Sequence, residues 1–228
     1  MDRDRAVQIS TTDALLWDGT RFTKVLDLEE DGEDNGNGGD GGDGGDGGDG
    51  ENRAELTAVD AGSGHIWIAG SHGGRPMLWH GWKGEFRRAA TPDALDISDI
   101  SDGKLNAVWQ NNPSDVWAVG KAGPHPLALR WNGASWRRVP LPDQRGELHG
   151  VTAFGPDDVW IAGWDAALVP SRVVVMHWNG RTWTRELLPS PGEVTHAAIE
   201  RVPGTPRIWL VTSIRNGDSE SIVTFRRR

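Results

Sequence analysis

Along this chain short apolar runs alternate with clusters of turn-forming residues, and no window carries the three-to-four spacing of an amphipathic helix. One run stands out. NPSDVWAVG (112–120) sets a tryptophan among β-branched residues, with a turn before it and a glycine after it. The same phrase returns as GPDDVWIAG (155–163) and more loosely as GSGHIWIAG (62–70) and GTPRIWLVT (204–212). Its tryptophans, Trp67, Trp117, Trp160 and Trp209, are spaced by 50, 43 and 49 residues. That is the period of a propeller blade, roughly 40 to 50 residues.

Aligning on the phrase exposes a longer unit, LNAVWQNNPSDVWAVGKAGPHPLALRWNGASWRRVPLP (105–142), with further copies over 148–189 and 56–92. Each copy holds four short apolar segments, which read as four strands. Asn132-Gly133, Asn179-Gly180 and Asp18-Gly19 join the third segment to the fourth, and such pairs tolerate the positive φ of a tight hairpin. Valine and tryptophan suit a sheet buried on both faces, as a blade between two neighbours must be. The repeated tryptophan is then the plug between adjacent sheets, present in every copy because every seam needs filling. Trp17, Trp131, Trp136, Trp178 and Trp183 flank the hairpins and are expected to pack blade against blade or to brace the turn.

The chain ends carry partial units. Segment 14–28 matches the later part of a copy, and the copy starting at Val194 has segments one to three without the fourth. The expected fold is therefore all-β, a β-propeller of about five four-stranded blades, incomplete at the ends and forming one domain over 1–228. Two arrangements compete with this count: four blades with the two partial units merged, and a piece of a longer propeller.

Composition narrows the chemistry. Among 228 residues there are 13 tryptophans and neither cysteine nor tyrosine, which excludes disulfides, thiolate nucleophiles and cysteine-ligated metals. The net charge of −9 is concentrated in an acidic tract with eleven carboxylates between Val25 and Asn52; without it the remainder would carry +2. That remainder lacks the basic surface nucleic acid demands, and no apolar run is long enough for a transmembrane helix, so neither partner is expected. The GGDGGDGGDGGDG run (38–50) marks 29–52 as a disordered acidic Gly/Asp-rich insert. The start, MDRDRAVQIS, lacks the apolar stretch of a secretory signal, which fits a cytosolic protein or a mature form or fragment.

DVWAVG followed by RWNGASW and a proline-bounded gap resembles the tryptophan-rich β-propeller repeats of bacterial proteins, many of them secreted, and their kelch-type and Asp-box relatives. The resemblance spans 14–28 and 56–225 and implies the blade, with an extracellular setting; it carries no activity. Asn132, Gly133, Ser135 and Trp136 are similar to a shortened Asp box, as are Asn179, Gly180, Thr182 and Trp183, and that box is structural in the family. Two propeller chemistries are excluded by composition: sialidase-type hydrolysis, which needs a tyrosine nucleophile, and copper-radical oxidation, which needs tyrosine cross-linked to cysteine.

No histidine pair has metal-ligand spacing. His72 and His125 fall in corresponding loops, and His149 and His196 occupy similar places in segment one, the strand that lines the axial channel. Neither the GGD run nor DISDISDG (96–103) has the spacing of a calcium loop. No catalytic residue, metal or cofactor is assigned.

Segments SHGGRP, KAGPHP and WDAALVPS follow segment two and are expected as loops on one variable face. Trp164 stands where the other copies have Ser71, Lys121 and Ser213, so the fold does not require it there. On an open loop it would stack on a sugar or anchor a partner, with Asp165, His125, Lys121 and Arg75 supplying polar contacts. The sequence thus points to a non-catalytic recognition module for a glycan or protein. The alternatives are a lyase or hydrolase acting at the axial channel and a structural piece of a larger assembly.

Overall fold

The computed structural model describes residues 6–28, 54–89, 102–217 and 219–227. The acidic insert and nearly all of DISDISDG lie outside the described residues.

The described chain folds into five antiparallel sheets in sequence order, here called blades 1 to 5. Blade 1 has three strands, β1 (Ala6–Ile9), β2 (Asp13–Trp17) and β3 (Phe22–Asp27). Blade 2 has four: β4 (Ala54–Gly62), β5 (His65–His72), β6 (Arg75–Trp82) and β7 (Glu85–Arg88). Blade 3 comprises β8 (Gly103–Asn112), β9 (Asp115–Ala122), β10 (His125–Trp131) and β11 (Trp136–Arg138). Blade 4 comprises β12 (Gly146–Gly155), β13 (Asp158–Asp165), β14 (Arg172–Trp178) and β15 (Trp183–Leu188). Blade 5 has three strands, β16 (Glu193–Val202), β17 (Arg207–Asn216) and β18 (Ser219–Arg227). The two partial units of the sequence remain separate sheets rather than merging into one.

Apolar side chains on both faces of each blade make this stack. A cluster of buried residues fills every seam between consecutive blades, and each draws on both partners. The tryptophan of the repeated phrase plugs the seam ahead of it. Trp67 (1% exposed) meets Trp136 edge-on at 5.1 Å, and Trp117 (0%) meets Trp183 edge-on at 6.0 Å. Trp160 packs into the seam between blades 4 and 5. Trp209 departs from the pattern at 42% exposure.

Each buried plug carries a polar partner on its flat face, supplied by the residue opposite it on the next strand. His80 stacks on Trp67 at 4.2 Å, His177 stacks on Trp160 at 4.0 Å, and the Arg130 guanidinium lies 5.0 Å over Trp117. Each is fixed from the side by the residue two before the tryptophan: His65 Nδ1 to His80 Nε2 at 2.8 Å, Asp115 to Arg130 at 2.7 Å, Asp158 to His177 at 2.8 Å. Three of the seven histidines are thereby absorbed into the architecture.

The glycine closing the phrase has a backbone cause. Opposite it the innermost strand carries a β-bulge, between Leu56 and Ala58, Leu105 and Ala107, and Leu148 and Gly150. The bulge presses the strand against the glycine. A Cβ on Gly120 would lie 2.0 Å from the Lys104 carbonyl oxygen, and one on Gly163 at 2.0 Å from that of Glu147. Only glycine fits there.

Between third and fourth strands, blade 2 turns in two residues, Lys83-Gly84, both at positive φ, but the corresponding hairpins of blades 1, 3 and 4 differ from the expected two-residue form. They are four-residue loops, and within each pair only the glycine takes positive φ (Gly19 104°, Gly133 95°, Gly180 88°). The Asn or Asp side chain holds the loop instead: Asn132 Oδ1 accepts from the Ala134 and Ser135 amides, and Asn179 and Asp18 do the same. Those backbone amides also hold the Asp18 carboxyl below its ordinary pKa.

Gly120→Ala is expected to destabilise the protein by about 3 kcal/mol through overpacking. Gly155→Ala, with nothing within 4 Å of the new methyl, should stay within about 0.5 kcal/mol of the parent; urea midpoints at unchanged m-value decide. Asn132→Ala should cost about 1 kcal/mol by removing the acceptor of two amides, whereas Asn132→Asp, which reproduces blade 1, should be tolerated in the same assay.

Candidate functional site

The β-bulges position side chains as well as backbone. Each leaves one residue unpaired on the innermost strand, and in blades 2 and 3 that residue clasps the next blade. Thr57 Oγ1 donates to the Leu105 carbonyl at 2.5 Å, and Asn106 Nδ2 donates to the Leu148 carbonyl at 2.8 Å. In blade 4 the corresponding residue is His149. Its Nε2 accepts from Trp164 Nε1 at 3.0 Å, and its ring meets His196 of blade 5 edge-on at 4.9 Å. The clasp is replaced by aromatic contacts.

At this place a cavity of about 660 Å³ opens between blades 4 and 5. Lys104, Glu147, His149 and Trp164 line one side, Glu193 and Thr195 the other, and the 168–171 loop forms the lip. Glu147 is held firmly: its Oε1 accepts from Asn106 Nδ2 at 2.7 Å and pairs with Lys104 Nζ at 3.2 Å. The lip is tied to blade 5, where the Val194 amide donates to Ser171 Oγ at 2.9 Å. Volume, an indole wall and several fixed polar groups are the features of a place that suits a small polar ligand.

His149 is neutral here. Burial pushes its pKa down to about 4, opposed by Glu147 and reinforced by His196 and Lys104. The geometry agrees, because Nε2 must be unprotonated to accept the indole N–H.

The five residues singled out in the sequence share one end of the blades but not one cavity. Trp164 lines the cavity described above; it is the penultimate residue of β13, paired with Glu147 and Val173, rather than part of an open loop. Asp165 is 4% exposed, accepts from Arg185 and caps the following turn through the Ala167 amide. Lys121 lies within β9 and pairs with Asp102 at 2.5 Å. His125 opens β10, near the Gln144 carbonyl at 3.2 Å, beside a cleft of about 240 Å³. Arg75 is exposed at the start of β6. SHGGRP and KAGPHP close as tight turns at Gly73-Gly74 and Gly123-Pro124; only WDAALVPS makes a real loop.

Sequence reasoning placed His149 and His196 at the axis but assigned neither to ligand binding, and it missed Glu147, Lys104 and Thr195. The signal available was positional: His149 replaces Thr57 and Asn106 at the bulge. Among the described residues no group of three or more His, Asp or Glu converges as a metal site.

No family model matches the chain, and no curated protein matches it. Solved structures do match, and they are β-propellers. A luciferin-regenerating enzyme superposes with a TM-score of 0.56 at 14% identity, covering 96% of this chain and 69% of that one. The Aleuria aurantia lectin, as a mutant bound to alpha-methyl-L-fucoside, gives 0.46 at 12% identity over 75% and 64%. YCF48 from Cyanidioschyzon merolae gives 0.36 at 15% identity over 76% and 72%. The luciferin-regenerating enzyme, at 14% identity, carries the likeness, and it is one of fold: the chain is a β-propeller.

The His149 pKa lies below its unfolded value, so its contribution to stability is complete above about pH 6.5 and is lost as pH falls towards about 4. The loss should reach the order of 3 kcal/mol. Thermal melts across this window should show His149→Gln losing its part of the parent's pH dependence while the part due to His65 and His80, which burial also holds below the ordinary histidine pKa, remains; an unchanged dependence contradicts the assignment.

Proposed function

We propose that this propeller is a non-catalytic recognition module that binds a glycan in the cavity between blades 4 and 5. The observation that supports this reading is the exchange at the bulge. Where two seams hold a hydrogen-bonded clasp, this one holds His149, Trp164 and an open cavity. A fold that gives up an inter-blade bond at one position only, and opens space there, has a use for that space.

The groups present suit a polyhydroxylated ring. Trp164 offers an indole wall next to the apolar 168–170 lip, while Glu147, Glu193 and Thr195 offer oxygen acceptors to sugar hydroxyls. The chain's glycan-binding character, like its place among tryptophan-rich, kelch-like bacterial propellers, rests on this site and on the DVWAVG and WNG repeats. His125, Lys121 and Arg75, on the same end of blades 2 and 3, extend the surface a longer glycan or a glycoprotein would cross.

The enzymatic alternative uses the same cluster, with Glu147 4.0 Å from His149 Nε2. What favours binding is that both groups are already committed, Glu147 to Lys104 and Asn106, and His149 to Trp164.

A glycan array with the purified chain, run beside Trp164→Ala, tests the proposal. Binding of a defined sugar should weaken at least tenfold in Trp164→Ala with the circular dichroism spectrum unchanged. Silence from folded parent protein, or substrate turnover that disappears in His149→Gln, would overturn it.

A further inference from the structure

Two of the four seams repeat one aromatic pairing, and the two ends of the stack each expose half of it. Going up the chain, the plug of one blade meets the aromatic residue that opens the fourth strand of the next. Trp67 meets Trp136 and Trp117 meets Trp183, both edge-on. That receiving residue is braced across its own hairpin, Trp136 by Trp131 at 5.9 Å and Trp183 by Trp178 at 5.4 Å. In blade 2 the receiving position is Phe86, packed in the seam with Val7 of blade 1. The plug and the receiver are thus on opposite faces of blades 2, 3 and 4.

Blade 5 presents a plug without a receiver. Trp209 (42% exposed) stands with Val211 (38%) and Ile222 (72%) on the face turned away from blade 4, while Ile208 and Leu210 on the other face are buried in the seam. Blade 1 presents a receiver without a plug. Phe22 (49% exposed) is braced by Trp17 at 5.0 Å, just as Trp136 is by Trp131, on the face turned away from blade 2. Surface tryptophan, valine, isoleucine and phenylalanine gathered at matching repeat positions are the two sides of a seam that has not been made.

We propose that blade 5 of one molecule docks on blade 1 of a second copy, with Trp209 seated against Phe22 and Trp17 as Trp67 is seated against Trp136. Such a contact continues the seams already present: among the described residues the face that offers an unfilled receiver of this pattern is that of blade 1. The contact is head-to-tail, using two different surfaces, so the dimer keeps one free plug on one copy and one free receiver on the other, and association continues beyond the dimer.

Analytical ultracentrifugation of the full chain over about 1 to 200 μM tests this with two charge substitutions, Trp209→Asp and Phe22→Asp, both at exposed positions. The parent should show mass rising with concentration. Each variant alone should be monomeric, since each lacks one half of the contact. Mixed one to one, they should form a dimer and go no further, because Trp209→Asp keeps its receiver and Phe22→Asp keeps its plug. A parent that stays monomeric at every concentration, as closure of blade 5 on blade 1 within one chain would require, overturns the proposal. So does a dimer that survives in either variant alone, which would mean a symmetric contact through another surface. Glycan binding by Trp164 is untouched by both substitutions, so the failure of one proposal leaves the other standing.

Discussion

The structure depends on one close approach, between the innermost strand of a blade and the glycine that ends the DVWAVG phrase. The bulge that brings the Lys104 and Glu147 carbonyls against Gly120 and Gly163 forces one residue of the inner strand out of its ladder. A residue freed from pairing can aim its side chain sideways, along the ring rather than across the sheet. Thr57 and Asn106 use that freedom to bond the next blade, and His149 uses it to meet Trp164 and His196. The seam clasp and the candidate site are two outcomes of the same backbone geometry.

This explains why the site lies between blades 4 and 5. Blades 2, 3 and 4 share the bulge, the glycine and the plug, so what distinguishes the last seam is the side chain placed at the bulge. A threonine or asparagine there reaches a carbonyl and closes the seam. An imidazole cannot donate from the nitrogen that already accepts the indole N–H, so the inter-blade bond is not made through it. Trp164, which no packing rule requires at the end of β13, then completes a wall. Its neighbour Asp165 is no part of that wall, because Arg185 draws the carboxylate into the blade. Adjacent residues on a strand point to opposite faces, so a ligand contact at Trp164 and a buried ion pair at Asp165 are compatible.

Much of the fold was legible because the repeat is written in residues with strong local preferences. Tryptophan between valines, glycine after them, and Asn-Gly at the hairpin announce strand, plug and turn, and each is where the period put it. What stayed hidden was relational. Nothing in LHGVTAF signals that Leu148 and Gly150 flank a bulge, since a bulge is defined by a partner strand. Trp164 read as a loop residue because WDAALVPS follows the phrase, yet ladder pairing with Glu147 and Val173 keeps it in β13, just as its equivalents Ser71 and Lys121 lie in β5 and β9. The Asn-Gly pairs fit a tight hairpin, but the asparagine side chain found two amides to accept from, and the longer loop won.

The histidines show how far residue type alone underdetermines role. His80 and His177 occupy one repeat position, and at the third copy of that position stands Arg130; all three lie flat on a plug and are held by the residue two before it. What the position demands is a planar group able to stack on indole and make a hydrogen bond from its edge, and imidazole and guanidinium both satisfy it. His149 meets a different demand. It sits where other blades carry Thr or Asn, its neighbours are an indole, a carboxylate and a second imidazole, and its surroundings keep it uncharged. The same side chain is therefore scaffold when its repeat equivalents are chemically alike, and a candidate for function when they are not.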